Sequence, residues 1–170
     1  AISATGVVTA SGALTLIADP TKNISLTNTS NNFSSVEVTS GNDISITDAN
    51  ALTINGIGAN GLVTVQTQSG DLSLNGNIVT ASTSSNAVTL VADVASTPDS
   101  TGSGGNFKNI GGGTISTGVG GAWLVYSGTP VSGATNLNGL VAAAKRYNVD
   151  NGSDPLASGD RIYYRIQPTL

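Results

Sequence analysis

Three groups of residues in this chain have types and spacings that chemistry could use. Gly56, Gly58 and Gly61 spell G-x-G-x-x-G, nominally a dinucleotide fingerprint. That mechanism needs a strand before the glycines and a helix after them, so that a helix N-terminus meets the pyrophosphate. Here LVTVQT follows, which alternates like another strand, so the glycines read as a corner. The carboxylates Glu37, Asp43, Asp48 and Asp71 are those from which a glycosidase pair would be drawn. A lone Glu and scattered Asp residues look more like turn formers, and the aromatic subsites of a sugar-cleaving groove are missing around them. Asp150, Asn151, Asp154 and Asp160 surround a glycine and suggest Ca²⁺. Their spacing matches neither an EF-hand loop nor a Gly-rich nonapeptide array, so a plain turn is the better reading.

The inventory narrows the chemistry further. His, Cys and Met are absent. Their absence removes Ser-His-Asp and Cys-His catalysis, thiolate and imidazole metal sites, and most general bases that work near neutral pH. No disulfide framework is available either. The net charge is -4, and of the six basic residues only Lys22 and Lys108 precede Lys145. A phosphate-tracking patch is therefore absent, which argues against nucleic-acid binding. No apolar run approaches the ~20 residues of a membrane span. The expected protein is non-enzymatic, binds no cofactor or metal, and spans no membrane.

What must position any functional residue is a run of very short strands. VEV, ISI, LTI, VTV, LSL and VTL, between positions 36 and 90, each place two apolar residues around one polar residue. That is a side-chain period of two, the mark of a half-buried strand. Sandwich strands usually run to about five or six residues. Doublets this short, separated by Gly or Asn, fit a stacked solenoid better. The offsets from Ile44 to Val63 and from Leu52 to Leu72 set a repeat of about twenty residues. Corner asparagines can also hydrogen-bond from one coil to the next. With 9% charged and 38% hydrophobic residues, the composition suits a folded chain, not a disordered one.

Residues 1–121 are expected to carry these repeats, with a Gly-rich loop inserted near 97–113. Residues 122–170 are expected to form a cap. Apart from Phe33 and Phe107, every aromatic residue lies there: Trp123, Tyr126, Tyr147, Tyr163 and Tyr164. AWLVYSG predicts a strand. Leu137, Leu140, Val141, Ala144 and Tyr147 fall at helical spacing, with Lys145 and Arg146 where a helix dipole favours cations. RIYYRIQP predicts a last strand. An open solenoid end exposes apolar core and strand edges, so a strand-helix-strand cap would seal it. Trp123, Tyr126, Tyr163, Arg161 and Arg165 form the surface to inspect. Trp123 and Tyr126 could stack on sugars and Arg161 or Arg165 could bind an acidic partner, or these residues could seal the last coil with the arginines snorkelling along it.

The corners GDL and GNDI with their LxL-type strands resemble the haemagglutinin-type repeats of filamentous-haemagglutinin-like exoproteins, large adhesins of Gram-negative two-partner secretion. GGAWLVYSGTP at 120–130, AAAKRYN at 142–148 and RIYYRIQPTL at 161–170 are similar to the block that ends the β-helix of such proteins. The resemblance implies a right-handed parallel β-helix, export through an outer-membrane secretion partner, and a secreted or cell-surface location. It also implies a role in attachment, with a host-cell or glycan receptor as partner. The chain then reads as an excised structural or display segment of a longer adhesin. The readings to test against it are a polysaccharide-active β-helix enzyme and an ice-binding solenoid, the latter suggested by Thr15, Thr27, Thr39, Thr53, Thr64 and Thr89.

Overall fold

The computed structural model describes residues 1–98, 104–156 and 158–168. The described chain is all-β, with fifteen strands: β1 Ile2–Ser3, β2 Thr9–Ile17, β3 Ile24–Leu26, β4 Asn32–Ser40, β5 Ile44–Asp48, β6 Leu52–Ala59, β7 Val63–Thr67 and β8 Leu72–Leu74, then β9 Ile78–Thr80, β10 Val88–Val91, β11 Phe107–Asn109, β12 Ile115–Ser116, β13 Trp123–Ser127, β14 Ala144–Tyr147 and β15 Arg161–Tyr164. They form two open sheets, and every strand pairing is parallel. The first sheet runs β1-β3-β5-β7-β10-β13-β15-β14. The second runs β2-β4-β6-β8-β11, with β9 beside β6 and β12 beside β9. Up to β7 the chain alternates between the sheets, so each pass lands beside the strand laid down one pass earlier.

The doublets explain the register. Ile2, Ile24, Ile44, Val63, Val88 and Trp123 are successive Cα partners, and Leu26, Ile46, Val65, Leu90, Val125 and Ile162 form a parallel file beside them. On the second sheet Leu14, Val36, Ile54 and Leu74 stack likewise. A one-residue slip would turn all of these apolar side chains to the outer face, which is why the register is so regular. The pairings Ile44↔Val63 and Leu52↔Leu72 are those that the sequence offsets mark out. Both sheets turn their apolar faces to one core, which runs from Leu16 to Tyr164.

Polar groups complete the stack at its corners. The Asn42 side-chain amide donates to Asn23 Oδ1 at 2.9 Å, and that of Asn75 to Asn55 Oδ1 at 3.1 Å. Asn31 is fully buried; its Oδ1 accepts from the Val8 N–H at 2.8 Å and its Nδ2 donates to the Leu26 and Thr47 carbonyls. Buried backbone groups at a bend need such partners.

Two expectations need correction. No described residue is helical, and the segment expected as the helix of the cap ends in strand β14, beside β15. Asn138 (φ 37°) and Gly139 (φ 95°) take left-handed backbone conformations that stop a helix before it nucleates. Leu137, Leu140 and Tyr147 of the helically spaced set are claimed instead by tertiary contacts, while Val141 is exposed. Leu137, Leu140 and Ala142 pack against the end of the core, and Tyr147 stacks on Tyr164 with ring centroids 5.5 Å apart. The loop expected at 97–113 is also interrupted: Phe107–Asn109 is strand β11, in register with Leu72–Leu74. Residues 99–103 of that loop lie outside the described residues.

Candidate functional site

Four of the five residues singled out from the sequence fall on two adjacent strands, β13 and β15, and the fifth, Arg165, directly follows β15. Register sets Leu124 opposite Arg161 and Tyr126 opposite Tyr163. Alternation along the strands then divides the side chains. Trp123, Val125, Ile162 and Tyr164 enter the main core, while Leu124, Tyr126 and Tyr163 join Val91 and Val149 in a second, smaller cluster on the outer face of the first sheet. On β3, β5 and β7 that face carries Ser25, Ser45 and Thr64. It turns aromatic only near β13 and β15, where residues 148–156, with 158 and 159, cross over it as a strap.

The strap is fastened by side chains more than by backbone. Its carboxylate Asp154 accepts from Arg161 Nε at 2.8 Å, from Arg161 Nη2, and from the Tyr163 hydroxyl. The Tyr163 hydroxyl in turn accepts from the Leu156 N–H at 3.1 Å, and the Tyr126 hydroxyl donates to the Ser153 carbonyl at 2.6 Å. The Val149 N–H reaches the Tyr164 carbonyl at 3.2 Å. Arg161 also donates to the Ser85 and Gly159 carbonyls and to Asn86 Oδ1. Its guanidinium is 0% exposed and fully engaged. Arg165, 1% exposed, donates to the Ala92 carbonyl at 2.7 Å and the Gly105 carbonyl at 2.8 Å, stapling the chain on both sides of 93–104. Neither arginine snorkels.

Electrostatics separate the two cations. The hydrogen bond to Asp154 is the main reason that the Arg161 pKa lies above the ordinary guanidinium value, with desolvation opposing it. Burial pulls Arg165 below that value, while Asp93 and Asp150 act in the opposite sense. Burial, reinforced by the charge of Asp154 and by Tyr163, pushes the Tyr126 phenol up to about 12. The Tyr163 phenol is raised by burial and by its hydrogen bond to Asp154, and Tyr164 by burial and by Tyr147. None of these groups is tuned to exchange a proton near neutral pH.

Beside the strap lies an open cavity of about 540 Å³ lined by Pro98, Asn148, Val149, Asp150, Ser153, Asp154 and Pro155. Its polar groups are two carboxylates, a hydroxyl and an amide, against two prolines and a valine. The four residues that suggested Ca²⁺ are not brought together as ligands. Asp154 is committed to Arg161 and Tyr163, and Asp160 Oδ1 accepts from the Trp123 N–H at 3.0 Å. Among the described residues, no three of His, Cys, Asp or Glu gather where an ion could sit.

The carboxylates weighed as a glycosidase pair serve the stack. Asp43 Oδ1 accepts from the Leu62 N–H at 2.9 Å, Asp71 Oδ1 from the Asn106 N–H at 2.8 Å, and buried Asp48 from the Phe33 and Asn50 N–H groups at 2.7 and 2.9 Å. Asp71 also pairs with Lys108 at 2.5 Å. Glu37 stands on the outward face of β4, in register with Thr15 and Gly56. The glycine triplet has a packing explanation too. A Cβ on Gly58 would lie 2.7 Å from the Thr39 carbonyl oxygen, and one on Gly61 would lie 2.0 Å from Asp43 Oδ1. Strand β7 follows the triplet, where a nucleotide site would require a helix.

Sequence reasoning missed Asp154 as the partner of Arg161 and Tyr163, and missed Asn106, whose Oδ1 receives the Thr129 N–H at 2.9 Å. The available signal was charge balance: two arginines in an apolar strand need a nearby acid or carbonyls. No protein-family model, curated protein or solved structure matches this chain. No helix among the described residues is long and apolar enough to cross a membrane.

Proposed function

We propose that this chain is a non-enzymatic structural and display segment of a large secreted or cell-surface bacterial adhesin. In this reading the two parallel sheets are the faces of a right-handed parallel β-helix. Right-handedness follows the strong preference of parallel crossovers for that hand. Residues 122–170 seal one end, with Lys145 and Arg146 exposed on the edge strand β14. Exposed cations on an edge discourage further strand addition. The observation that carries the reading is the use made of the polar corner residues. Asp43, Asp48, Asp71, Asn31 and Asn75 all spend their side chains on holding one pass of the chain to another. Such a sequence invests in rigidity, which suits a rod that spaces or presents binding elements. The tail motifs at 120–130, 142–148 and 161–170, with their resemblance to the end of exoprotein β-helices, point to the adhesin setting. They also imply export through an outer-membrane partner.

An enzymatic reading finds less support, because Asp43, Asp48 and Asp71 are tied to backbone N–H groups and Glu37 stands apart on the outward face of β4. The ice-binding reading needs a flat, wide hydroxyl array. The file Ser25, Ser45, Thr64 and Thr89 mixes serine with threonine, and the file beside it, Thr47, Gln66 and Val91, loses its hydroxyl after β5. The test is to present this segment, and the full-length protein that contains it, to glycan arrays and host cells, alongside a polysaccharide-turnover assay. Binding by the full-length protein but not by the segment is the expected result. Turnover of a polysaccharide by the segment would overturn the proposal.

A further inference from the structure

Five Asn-Gly pairs stand in the chain, at Asn55, Asn60, Asn75, Asn138 and Asn151. In each, the peptide nitrogen of the glycine can attack the asparagine side-chain carbonyl carbon. The new C–N bond closes a five-membered succinimide and expels ammonia. Water then opens the ring to aspartate or, through the other carbonyl, to isoaspartate. The net change is gain of water and loss of ammonia, and no oxidant or cofactor is needed. Glycine removes the steric obstacle to ring closure, so in an unfolded chain the five sites are chemically alike.

The fold makes them unequal. Closure requires the carboxamide to swing toward the following nitrogen while the local backbone rotates. Asn55 lies in β6 and its Oδ1 accepts from Asn75 Nδ2 at 3.1 Å, so those two amides fix one another. The Gly76 N–H is also engaged, with the Ile54 carbonyl at 3.3 Å. Asn60 Nδ2 donates to the Pro20 carbonyl at 3.0 Å, and the Gly61 N–H to the Asn42 carbonyl at 3.2 Å. Asn138 Nδ2 donates to the Asn109 carbonyl at 3.1 Å. Asn151 differs. Only its backbone N–H is engaged, with Asp150 Oδ1 at 2.8 Å, and its carboxamide has no hydrogen bond among the described residues. Gly152 is exposed in a turn with φ 90°, and nothing lies within 4 Å of where its Cβ would be. The Gly152 N–H has the Tyr126 hydroxyl as a hydrogen-bond partner, so what sets this Asn-Gly pair apart is its unbonded carboxamide and its exposed turn.

We infer that Asn151 is a site of spontaneous succinimide formation and deamidation in the folded protein, and that the other four Asn-Gly pairs are protected by the fold. The product sets a new carboxylate on the strap beside Asp150 and near Asp154, both of which line the cavity. The isoaspartate form also reroutes the strap backbone through a side-chain carbon.

The test is peptide mapping by mass spectrometry of the intact chain aged at mildly alkaline pH. A parallel sample is kept unfolded in urea, and Asn151→Gln is carried as a control. In the folded sample Asn151 should convert at least about tenfold faster than any other Asn-Gly pair, equivalent to about 1.4 kcal/mol in barrier. In urea the five rates should converge, and Asn151→Gln should abolish the fast product. The inference is overturned if another Asn-Gly pair keeps pace with Asn151 in the folded protein. It is equally overturned if Asn151 stays unconverted when folded while all five convert in urea.

Discussion

Tyr126 shows how far burial changes single side chains in this protein. Its phenol is packed among Val91, Leu124 and Tyr163 and lies near a carboxylate, so ionising it places a second negative charge beside Asp154. The folded value, about 12, lies above the ordinary 10.0. The native state therefore holds the proton across a window in which the unfolded chain has lost it. Stability from this group is complete below the ordinary value and is lost as pH rises through the folded one. A phenolate absorbance titration should show a late component near pH 12, merging with alkaline unfolding. That component should shrink by one phenol in Tyr126→Phe, and in urea all tyrosines should titrate near their ordinary value. At this scale the sequence was only partly legible. The alternation in RIYYRIQP shows which residues share a face. It carries no information on what covers that face, because the covering residues 148–156, 158 and 159 have neither helical nor strand periodicity and are placed by hydrogen bonds to distant residues.

The strap is the element whose behaviour follows from its fastenings. Among the described residues, its backbone tie to the sheet is the Val149 N–H, and side-chain bonds from Arg161, Tyr163 and Tyr126 supply the rest; its ends carry left-handed backbone at Asn148 (φ 58°) and Gly159 (φ 72°). Segments held this way open below the global unfolding free energy. Asp154→Asn removes the charge that pairs with buried Arg161, a loss on the order of 3–5 kcal/mol. Tyr163→Phe removes two hydrogen bonds at about 1 kcal/mol each. Hydrogen exchange by mass spectrometry should show faster exchange over 148–158 in both variants, more in the first, while β5 and β7 keep their protection. Uniform loss of protection across β5, β7 and β10 would mean that the strap is part of the stack and not a separate unit. The missing helix belongs to this scale as well. Spacing at 137–147 favoured a helix, but Asn138-Gly139 breaks the turn, and the Asn136 N–H bonds the Phe107 carbonyl at 3.1 Å. Periodicity is a local signal, and here a turn dipeptide and a non-local pairing outweighed it.

For the molecule as a whole, stability is distributed pass by pass. Ile46 is 1% exposed and stacks between Leu26 and Val65, whereas Ile2 is half-buried on the first strand of its sheet. Ile46→Ala should cost about 2–5 kcal/mol in urea-unfolding experiments. Ile2→Ala should cost clearly less, because fewer neighbours surround the cavity it leaves. Equal costs would contradict a stack in which each pass depends on its two neighbours. The repeat itself was the most legible part of the chain, since short doublets and Gly/Asn corners appear directly in the letters. The later passes were hidden because their returns grow longer. Nothing in the letters sets Phe107 opposite Leu72, or Trp123 opposite Val88, once more than one turn of other sequence intervenes.

The order of the first sheet at its far end, β13-β15-β14, has a consequence for how that end is assembled. The last strand made is not the outermost one; it slides between two strands already made. As the chain emerges from its N-terminal end, β14 has no neighbour to hold it until Arg161–Tyr164 arrives. Arg165 can bond the Ala92 and Gly105 carbonyls only after that. A vectorially emerging chain would lay down its early passes one on another, yet this end of the first sheet would lock only when Arg161–Tyr164 is in place. Without that strand, β13 would have no neighbour on that side and Val125 would lose its partner Ile162.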